Sequence, residues 1–305
     1  MAESPRLPHE FDGYRLERRL AVGGMSELYR ASCAMPDGGR EQVALKLLLP
    51  HFCNQSKARE LFANEAQITL LCSHPNVVRA VGSGVAKGRP YLALELLSGC
   101  DLGEISDRHR ERMRAIPWQA AVCIVSAACA GLHHAHELSQ AGRSLNLVHR
   151  DVNPSNLMVG TDGLVKLLDF GLARADGLVD PVVAGAALGV AAYTAPEQFW
   201  GLALDRRADI FGVGVILHEL LTGRRLFWRG SEPATMLAVV ESPIPAPSLA
   251  REDLPRGLDE VVARALHRDP SGRYSSAVEL QRDLLAFAPN ANASIGNLVR
   301  ATLDM

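Results

Sequence analysis

The stretch that decides the fold reads HRDVNPSN and covers residues 149–156. It contains one carboxylate, Asp151, and ends on one amide, Asn156. A second carboxylate, Asp169, opens the sequence Asp-Phe-Gly 18 residues after Asp151, with a two-strand pattern between them. A lone Asp-Phe-Gly is most often turn chemistry. This spacing, however, predicts that Asn156 and Asp169 lie at opposite ends of one hairpin, and their hard oxygen atoms suit Mg²⁺.

The composition indicates a globular protein with a sizeable core. The chain has 305 residues, of which 48% are hydrophobic, and a formal net charge of −2. This charge gives no reason to expect nucleic acid or an anionic membrane as a partner. The six cysteines include no Cys-x-x-Cys pair, the N-terminus lacks the pattern of a signal peptide, and the longest apolar runs fall short of the roughly 20 residues of a membrane span. We therefore expect a cytoplasmic protein with reduced thiols.

The hydrophobic pattern changes about one third of the way along the chain. Short β-type runs dominate residues 14–95, and one helical pattern over residues 56–72 interrupts them. Helical periods then dominate, over residues 117–139, 207–223, 257–267 and 276–287.

This order of elements predicts an α+β fold in two lobes. The small N-lobe (about residues 12–96) is expected to be rich in β-strands and to contain one helix. A hinge at about residues 96–100 leads to a larger, mainly helical C-lobe (about residues 101–287). Residues 1–11 and 288–305 are predicted to be short tails.

A glycine-containing turn lies between two strand-like runs near the start of the chain, at Gly23 and Gly24. Glycines let a turn approach phosphate groups closely and present backbone N–H groups to them. Gly-Gly pairs are also common in ordinary hairpins, so the turn alone leaves both interpretations open.

A lysine and a glutamate form a second candidate pair. Lys46 lies inside an apolar strand pattern, where a lysine at a sheet edge with its head in solvent is one interpretation. Glu65 lies on the same helical face as Leu61 and Ile68, so it is a carboxylate within an apolar stripe. A buried charge needs a partner, and Lys46 supplies one if the helix packs on the sheet. The residues alone leave open whether this is a structural salt bridge or part of a phosphate site.

Further motifs follow in a fixed order. Ala-Pro-Glu ends at Glu197, and Asp209 begins a helical pattern that is apolar nearly all round and is therefore expected to be buried. The sequence Asp-Pro-Ser-Gly-Arg then ends at Arg273. In this order and spacing, the set resembles bacterial, eukaryotic-like (Hanks-type) serine/threonine protein kinases over about residues 12–287. The resemblance implies that Glu197 and Arg273 form a buried ion pair.

The resemblance implies a bilobal protein-kinase fold, with ATP and Mg²⁺ as cofactors and a protein as phosphate acceptor. By this resemblance, Asp151 orients the acceptor hydroxyl and takes its proton. Lys46, held by Glu65, grips the α- and β-phosphates, and Asn156 and Asp169 hold Mg²⁺. The other residues implied to line the nucleotide site are Ala21, Gly23, Gly24, Leu28, Ala44, Leu94, Glu95, Leu97, Asp101 and Leu157.

Two substitutions depart from the family pattern at one polar contact. Asn153 replaces a lysine that touches the γ-phosphate and the catalytic aspartate, and Val190 replaces a threonine that touches that lysine. Losing both avoids stranding a buried donor, so the fold need not suffer. A preorganised donor is worth about 10²- to 10³-fold in rate. Asn153 can still offer its amide N–H groups to the γ-phosphate, so we expect a slowed enzyme.

Two other functions stay open. A pseudokinase that binds nucleotide or acts as a scaffold is supported by Asn153, by Val190 and by Ala21, which stands at the first glycine position of the turn. A small-molecule phosphotransferase on a similar fold is disfavoured by the Ala-Pro-Glu motif and by Arg273. We expect any regulatory signal to arrive through a protein partner or through the short tails, because no sensor or membrane domain is recognised in the sequence.

The segment between Asp-Phe-Gly and Ala-Pro-Glu has an unusual composition. Residues 169–192 contain no Ser, Thr or Tyr. In the family, the arginine matching Arg150 binds a phosphorylated residue of this segment. We hypothesise that Asp176 or Asp180 supplies a fixed charge to Arg150 instead, with a disordered loop as the alternative. An unchanged activity of Arg150→Ala would contradict this hypothesis.

Two clusters are expected to be structural. Three histidines on one predicted helix (His133, His134 and His136) lack metal-ligand spacing to a carboxylate cluster. Four arginines at alternate positions are expected to be a solvated face, with docking of an acidic substrate as the alternative: Arg108, Arg110, Arg112 and Arg114.

Overall fold

The computed structural model describes residues 7–34, 38–173, 175, 190–288 and 292–304. These residues form two compact units. The first contains residues 7–74, Val78–Leu97 and Asp169–Gly171, and the second contains Pro75–Val77, Ser98–Leu168 and the described residues from Leu172 onward. The first unit is rich in strands and the second is mainly helical. This confirms the predicted α+β fold class.

The first unit is an antiparallel sheet with one α-helix. The strands lie in the order β1-β2-β3-β4-β6-β5. Their bounds are β1 His9–Phe11, β2 Tyr14–Val22, β3 Ser26–Ala34, β4 Arg40–Leu48, β5 Ala80–Ala86 and β6 Arg89–Glu95. The helix α1, Ser56–Leu71, packs on β5 and β6, and a 3₁₀ turn at Pro50–Phe52 precedes it.

The position of β4 explains where Lys46 points. Successive side chains of a strand alternate between the two faces of the sheet. Leu45 and Leu47 are fully buried in one core cluster. Leu48 belongs to the cluster on the other face, together with Phe62 of α1. Lys46 shares the face of Leu48, so the alternation directs it towards α1.

The second unit contains two small sheets and eight of the α-helices in the described residues. The strands are β7 Gly99–Asp101, β8 Ser139–Gln140, β9 Arg143–Ser144, β10 Leu157–Gly160 and β11 Val165–Leu167, paired in the orders β11-β10-β7 and β8-β9. The helices are α2 Leu102–Glu111, α3 Trp118–His136, α4 Pro196–Phe199, α5 Arg207–Thr222, α6 Glu232–Glu241, α7 Leu258–Ala265, α8 Ala277–Leu285 and α9 Asn292–Leu303. Further 3₁₀ turns lie at Pro154–Asn156, Val190–Tyr193, Pro247–Leu249 and Pro270–Gly272.

The helices α3 and α5 form the centre of the second unit. Helix α3 packs against α5, α8, α9 and β11, and α5 is buried over nearly its whole length. A glycine lets α5 approach the loop of residues 149–156 closely, because a Cβ atom on Gly212 would lie 2.9 Å from the carbonyl oxygen of Val152. Among the described residues, no helix is both long enough and apolar enough to cross a bilayer.

The predicted tails and hinge differ from the observed structure. Residues 9–11 form strand β1, and Phe11 is buried in the core of the first unit. The second tail contains α9, which packs on α2, α3 and β10. Its buried residues include Ile295 and Val299. The predicted hinge is partly strand, because Gly99 and Cys100 pair with β10.

The cysteines supply a test of the core. All six are free thiols, and four of them, Cys72, Cys100, Cys123 and Cys129, are buried. Burial raises the pKa of Cys72 to about 12 and also raises the pKa of Cys129. The thiolate is the reactive form, so we expect iodoacetamide at about pH 8 to modify only Cys33 and Cys53 in the folded protein. Mass spectrometry of peptides checks this, and rapid labelling of Cys72 or Cys129 before unfolding would contradict it.

Candidate active site

A buried aspartate on α5 fixes the backbone of the HRDVNPSN loop. Asp209 accepts hydrogen bonds from the backbone N–H groups of His149 and Arg150, both at 2.8 Å. His136 Nε2 donates to the same carboxylate over 2.7 Å. Burial alone would raise the pKa of Asp209, but the hydrogen bond and charge of His136 outweigh burial and lower it. The charged carboxylate therefore stabilises the loop, in which Arg150 has a φ of 67°.

Two amide side chains hold the carboxylate of Asp151. Asn153 Nδ2 donates to Asp151 Oδ1 over 2.8 Å, and Asn156 Nδ2 donates to Asp151 Oδ2 over 2.8 Å. Both asparagines come from the 3₁₀ turn Pro154–Asn156, because Asn153 is its N-cap and Asn156 is its last residue. The loop therefore brings the side chains of Asp151, Asn153 and Asn156 into contact.

The first unit contains the other charged cluster. Lys46 Nζ lies 2.5 Å from Glu65 Oε1 and 3.2 Å from Asp169 Oδ2. The sheet order places β4 inside the sheet, so the interpretation of Lys46 as an edge-strand lysine is wrong. Asp169 has a φ of 54° and its Oδ1 accepts the N–H of Gly171 over 2.9 Å.

Burial and the neighbouring charges shift the pKa values of Lys46 and Glu65 in this cluster. Burial opposes the charge of Lys46, but attraction from Asp169 and Glu65 outweighs it and raises the pKa of the lysine. Burial raises the pKa of Glu65 to about 7, and Asp169 adds to this while Lys46 opposes it. One cation thus lies between two carboxylates, and burial favours the neutral form of Glu65.

The remaining predicted nucleotide residues divide between the two units. In the first unit, the exposed residues Gly23 and Gly24 form the turn between β2 and β3, where the Gly23 N–H donates to Ser26 O over 2.8 Å. Strands of the same unit carry Ala21, Leu28, Ala44, Leu94 and Glu95, and Leu97 follows β6. In the second unit, Leu157 is fully buried in β10, and Asp101 caps α2 by accepting from the Glu104 N–H over 2.9 Å. The predicted Mg²⁺ ligands also belong to different units, Asn156 to the second and Asp169 to the first.

The predicted ion pair behind the Ala-Pro-Glu motif is confirmed. Arg273 donates to both oxygens of Glu197, over 2.6 and 2.8 Å, and its side chain is fully buried. Its remaining N–H groups donate to the carbonyl oxygens of Arg207, His267 and Arg268. All five guanidinium donors are therefore used.

A second buried cluster, which was not predicted from the sequence, lies next to this motif. Tyr193 donates its hydroxyl proton to Glu219 over 2.8 Å, and Arg225 Nη1 donates to the tyrosine oxygen over 2.5 Å. Burial raises the pKa of Glu219, and hydrogen bonds from the Leu226 N–H and from Tyr193 oppose this. A signal was present, since Glu219, like Glu65, is a carboxylate on an apolar helix and needs a partner.

Some members of the two clusters expected to be structural pair within the protein. Among the described residues, no group of three or more His, Cys, Asp or Glu side chains is arranged to hold a metal ion. Arg108 donates to Glu104 and to the carbonyl oxygen of Thr302, and Arg110 pairs with Asp107. Asp176 and Asp180, and with them the fixed-charge hypothesis for Arg150, lie outside the described residues, and so does the side chain of Val190.

The Lys46–Glu65 contact gives a prediction about turnover. Replacing Glu65 with glutamine removes the charge of the carboxylate nearest to the Lys46 ammonium group, which is then free to follow Asp169. We expect phosphate transfer to fall by about 10- to 100-fold, since a misplaced group of this kind costs up to about 10²-fold. Initial rates with saturating ATP and Mg²⁺ check this. The matched control is Glu41→Gln, which removes an exposed pair with Arg79 and should leave the rate unchanged.

Comparison with known proteins identifies the family of this chain. The family model described as the protein kinase domain matches residues 14–285, so the chain belongs to the protein kinase family. It is 38% identical to tyrosine-protein kinase MasK of Myxococcus xanthus over 89% of this chain and 42% of MasK. It is 35% identical to serine/threonine-protein kinase PknB of Mycobacterium leprae over 91% of this chain and 43% of PknB. The chain thus spans less than half the length of these two relatives.

A solved structure gives the same result for the fold. The crystal structure of the kinase domain of Mycobacterium tuberculosis PknI is similar with a TM-score of 0.68 and 26% sequence identity, covering 94% of this chain and 100% of that chain. The protein-kinase fold and the resemblance to bacterial Hanks-type kinases are therefore confirmed.

Proposed function

We propose that this chain is a protein kinase that transfers the γ-phosphate of ATP to serine or threonine hydroxyls of a protein substrate. The observation that carries the proposal is the carboxylate of Asp151, which two amides hold in one orientation. A group held in this way is suited to accept the proton of a substrate hydroxyl. The buried Lys46–Glu65 pair supports the proposal, because it supplies a fixed cation for the phosphates of ATP.

Each of the two residues proposed to hold Mg²⁺ offers an oxygen atom of the kind that suits this ion. Asp169 offers a carboxylate whose side chain is 43% exposed, and Asn156 offers its amide oxygen, because its nitrogen donates to Asp151. Hard oxygen ligands of this kind are the ones that Mg²⁺ prefers. When bound, Mg²⁺ would neutralise the charge that develops on the phosphates. We further propose a cytoplasmic site of action, which the free thiols support.

The choice of serine and threonine over tyrosine is part of the proposal. Relatives named as serine/threonine kinases support it, whereas MasK is named as a tyrosine kinase. Asn153 supplies no positive charge where the family has a lysine, so we propose that transfer is slow. A pseudokinase is the alternative, which is supported by this missing charge and by the departures at Val190 and Ala21.

The test is transfer of labelled phosphate from ATP and Mg²⁺ to the protein itself and to a generic basic protein, followed by identification of the phosphorylated amino acid. Phosphoserine or phosphothreonine is expected. Phosphotyrosine alone would contradict the proposed specificity. Nucleotide binding without transfer at any protein concentration would favour the pseudokinase.

A further inference from the structure

The hydrogen bonds of Asn153 define what this side chain can do. Its side chain is buried. Its Oδ1 accepts the N–H of Ser155 over 3.0 Å, which caps the 3₁₀ turn. Its Nδ2 donates to Oδ1 of Asp151 over 2.8 Å and to the carbonyl oxygen of Asp151 over 3.2 Å.

An amide nitrogen carries only two hydrogens, and both hydrogens of Asn153 are directed at Asp151. The arrangement on the other side of the carboxylate is similar. Asn156 Nδ2 donates to Asp151 Oδ2 and to the carbonyl oxygen of Asp151, each over 2.8 Å. The two asparagines thus contact both carboxylate oxygens and the backbone of the same residue.

We propose that Asn153 is a positioning residue that acts through Asp151 and does not bind the γ-phosphate. Together with Asn156 it forms an amide clamp, by which we mean the four N–H bonds from these two side chains to Asp151. The inference rests on the proposed function, in which Asp151 accepts the proton of the substrate. It replaces the expectation that the amide of Asn153 is available to the γ-phosphate.

The amide clamp orients the carboxylate of Asp151 but supplies no positive charge. A lysine at this position contacts the aspartate and also neutralises phosphate charge, whereas a neutral amide supplies only the first of these effects. The chain therefore keeps the geometry of the base and loses the electrostatic contribution. Loss of Asn153 should lower kcat through a misplaced Asp151 and leave the recognition of the third phosphate unchanged.

Two substitutions remove the contacts of Asn153 with Asp151 but preserve its role as N-cap of the 3₁₀ turn. Serine and aspartate both keep an oxygen that can accept the Ser155 N–H at an N-cap, so the 3₁₀ turn is preserved. Asn153→Ser removes both amide N–H donors to Asp151 and leaves only a shorter hydroxyl. Asn153→Asp keeps the shape of the side chain and replaces the donors with a negative charge that faces Asp151. The matched control is Asn54→Ser, because Asn54 is an exposed asparagine of the first unit.

The experiment measures kcat and KM for ATP, and the Kd values of ADP and of a non-hydrolysable ATP analogue, for the full chain and each variant. We expect Asn153→Ser to lower kcat by about 10- to 100-fold and Asn153→Asp to lower it further. The ratio of the two Kd values should stay within about twofold of wild type, because the proposal assigns the clamp no contact with the third phosphate. Unchanged kcat in both variants, or a selective loss of affinity for the ATP analogue, would overturn the inference.

An inactive wild type would contradict the proposed function, and the clamp then has a separate test. Exchange of the side-chain amide protons of Asn153 is compared by NMR between wild type and Asp151→Ala. The clamp predicts exchange that is about tenfold faster in the variant, because the acceptor for one of the two protons is gone. Equal exchange in the two proteins would overturn the clamp.

Discussion

Replacing Asp151 with asparagine is expected to reduce phosphate transfer by about 10²- to 10⁴-fold, the range that a general base contributes. The substitution keeps the size of the side chain but removes the group that takes the hydroxyl proton. It also turns one of the clamp contacts into a meeting of two N–H donors, since Asn153 and Asn156 both donate to this carboxylate. Initial rates with labelled ATP and Mg²⁺ measure the effect.

Nucleotide binding separates this prediction from simple unfolding. The cation proposed for the phosphates, Lys46, belongs to the first unit and keeps its contact with Glu65. Asp151→Asn should therefore bind ATP with nearly the affinity of wild type. The matched control is Asp162→Asn, an exposed aspartate in the turn between β10 and β11, which should transfer phosphate normally. A rate for Asp151→Asn within about threefold of wild type would contradict the assignment of Asp151 as base.

Periodic patterns made the first unit largely predictable. The helical face that combines Leu61, Glu65 and Ile68 is a local property of the sequence, and it predicted both α1 and the burial of Glu65. The alternation of side chains along β4 places Lys46 on the face of the sheet that packs against α1. Nothing in the local pattern could fix the role of Asp169, whose contact with Lys46 joins residues 123 positions apart.

The second unit shows where sequence patterns stop being informative. Helix α9 has a periodic stripe (Ile295, Leu298, Val299 and Thr302), but the segment is short and follows the last family motif, so it was predicted to be a tail. The partner of Asp209 was also not predicted. His136 is 73 residues away, and its histidine cluster was expected to be structural without a partner being named. Such pairs depend on how α3 and α5 pack against each other, and the local sequence pattern of either helix does not predict that packing.

The two hydrogen-bonding roles of Asn153 could not be predicted from the sequence either. The substitution of a lysine predicted lost charge, and it also suggested a free amide for the γ-phosphate. The hydrogen bonds show the amide committed to Asp151 and its oxygen committed to the Ser155 N–H. Which acceptor a short polar side chain chooses depends on the backbone path of the loop, here an N-cap followed by a 3₁₀ turn.

The largest loss of stability is expected from Arg273→Ala. This change leaves the carboxylate of Glu197, which is 7% exposed, without its two N–H donors, and it also removes donors from three carbonyl oxygens. Breaking a buried pair by removing one partner costs about 3–5 kcal/mol, because the remaining charge stays buried. We therefore expect the free energy of unfolding to fall by about that amount and Tm to fall by on the order of 10 °C.

Two further variants show whether the bidentate geometry or the charge matters more. Arg273→Lys keeps the charge but cannot donate to both carboxylate oxygens in a fork, so an intermediate loss is expected. Arg282→Ala removes an arginine that is 75% exposed and pairs with Asp283 on the surface of α8, and it should change stability by less than about 1 kcal/mol. Urea unfolding of the four proteins measures these differences. An equal loss of free energy of unfolding in Arg273→Ala and Arg282→Ala would show that the Glu197–Arg273 pair does not stabilise the fold. The Tyr193–Glu219 contact would then have to hold the Ala-Pro-Glu segment in place.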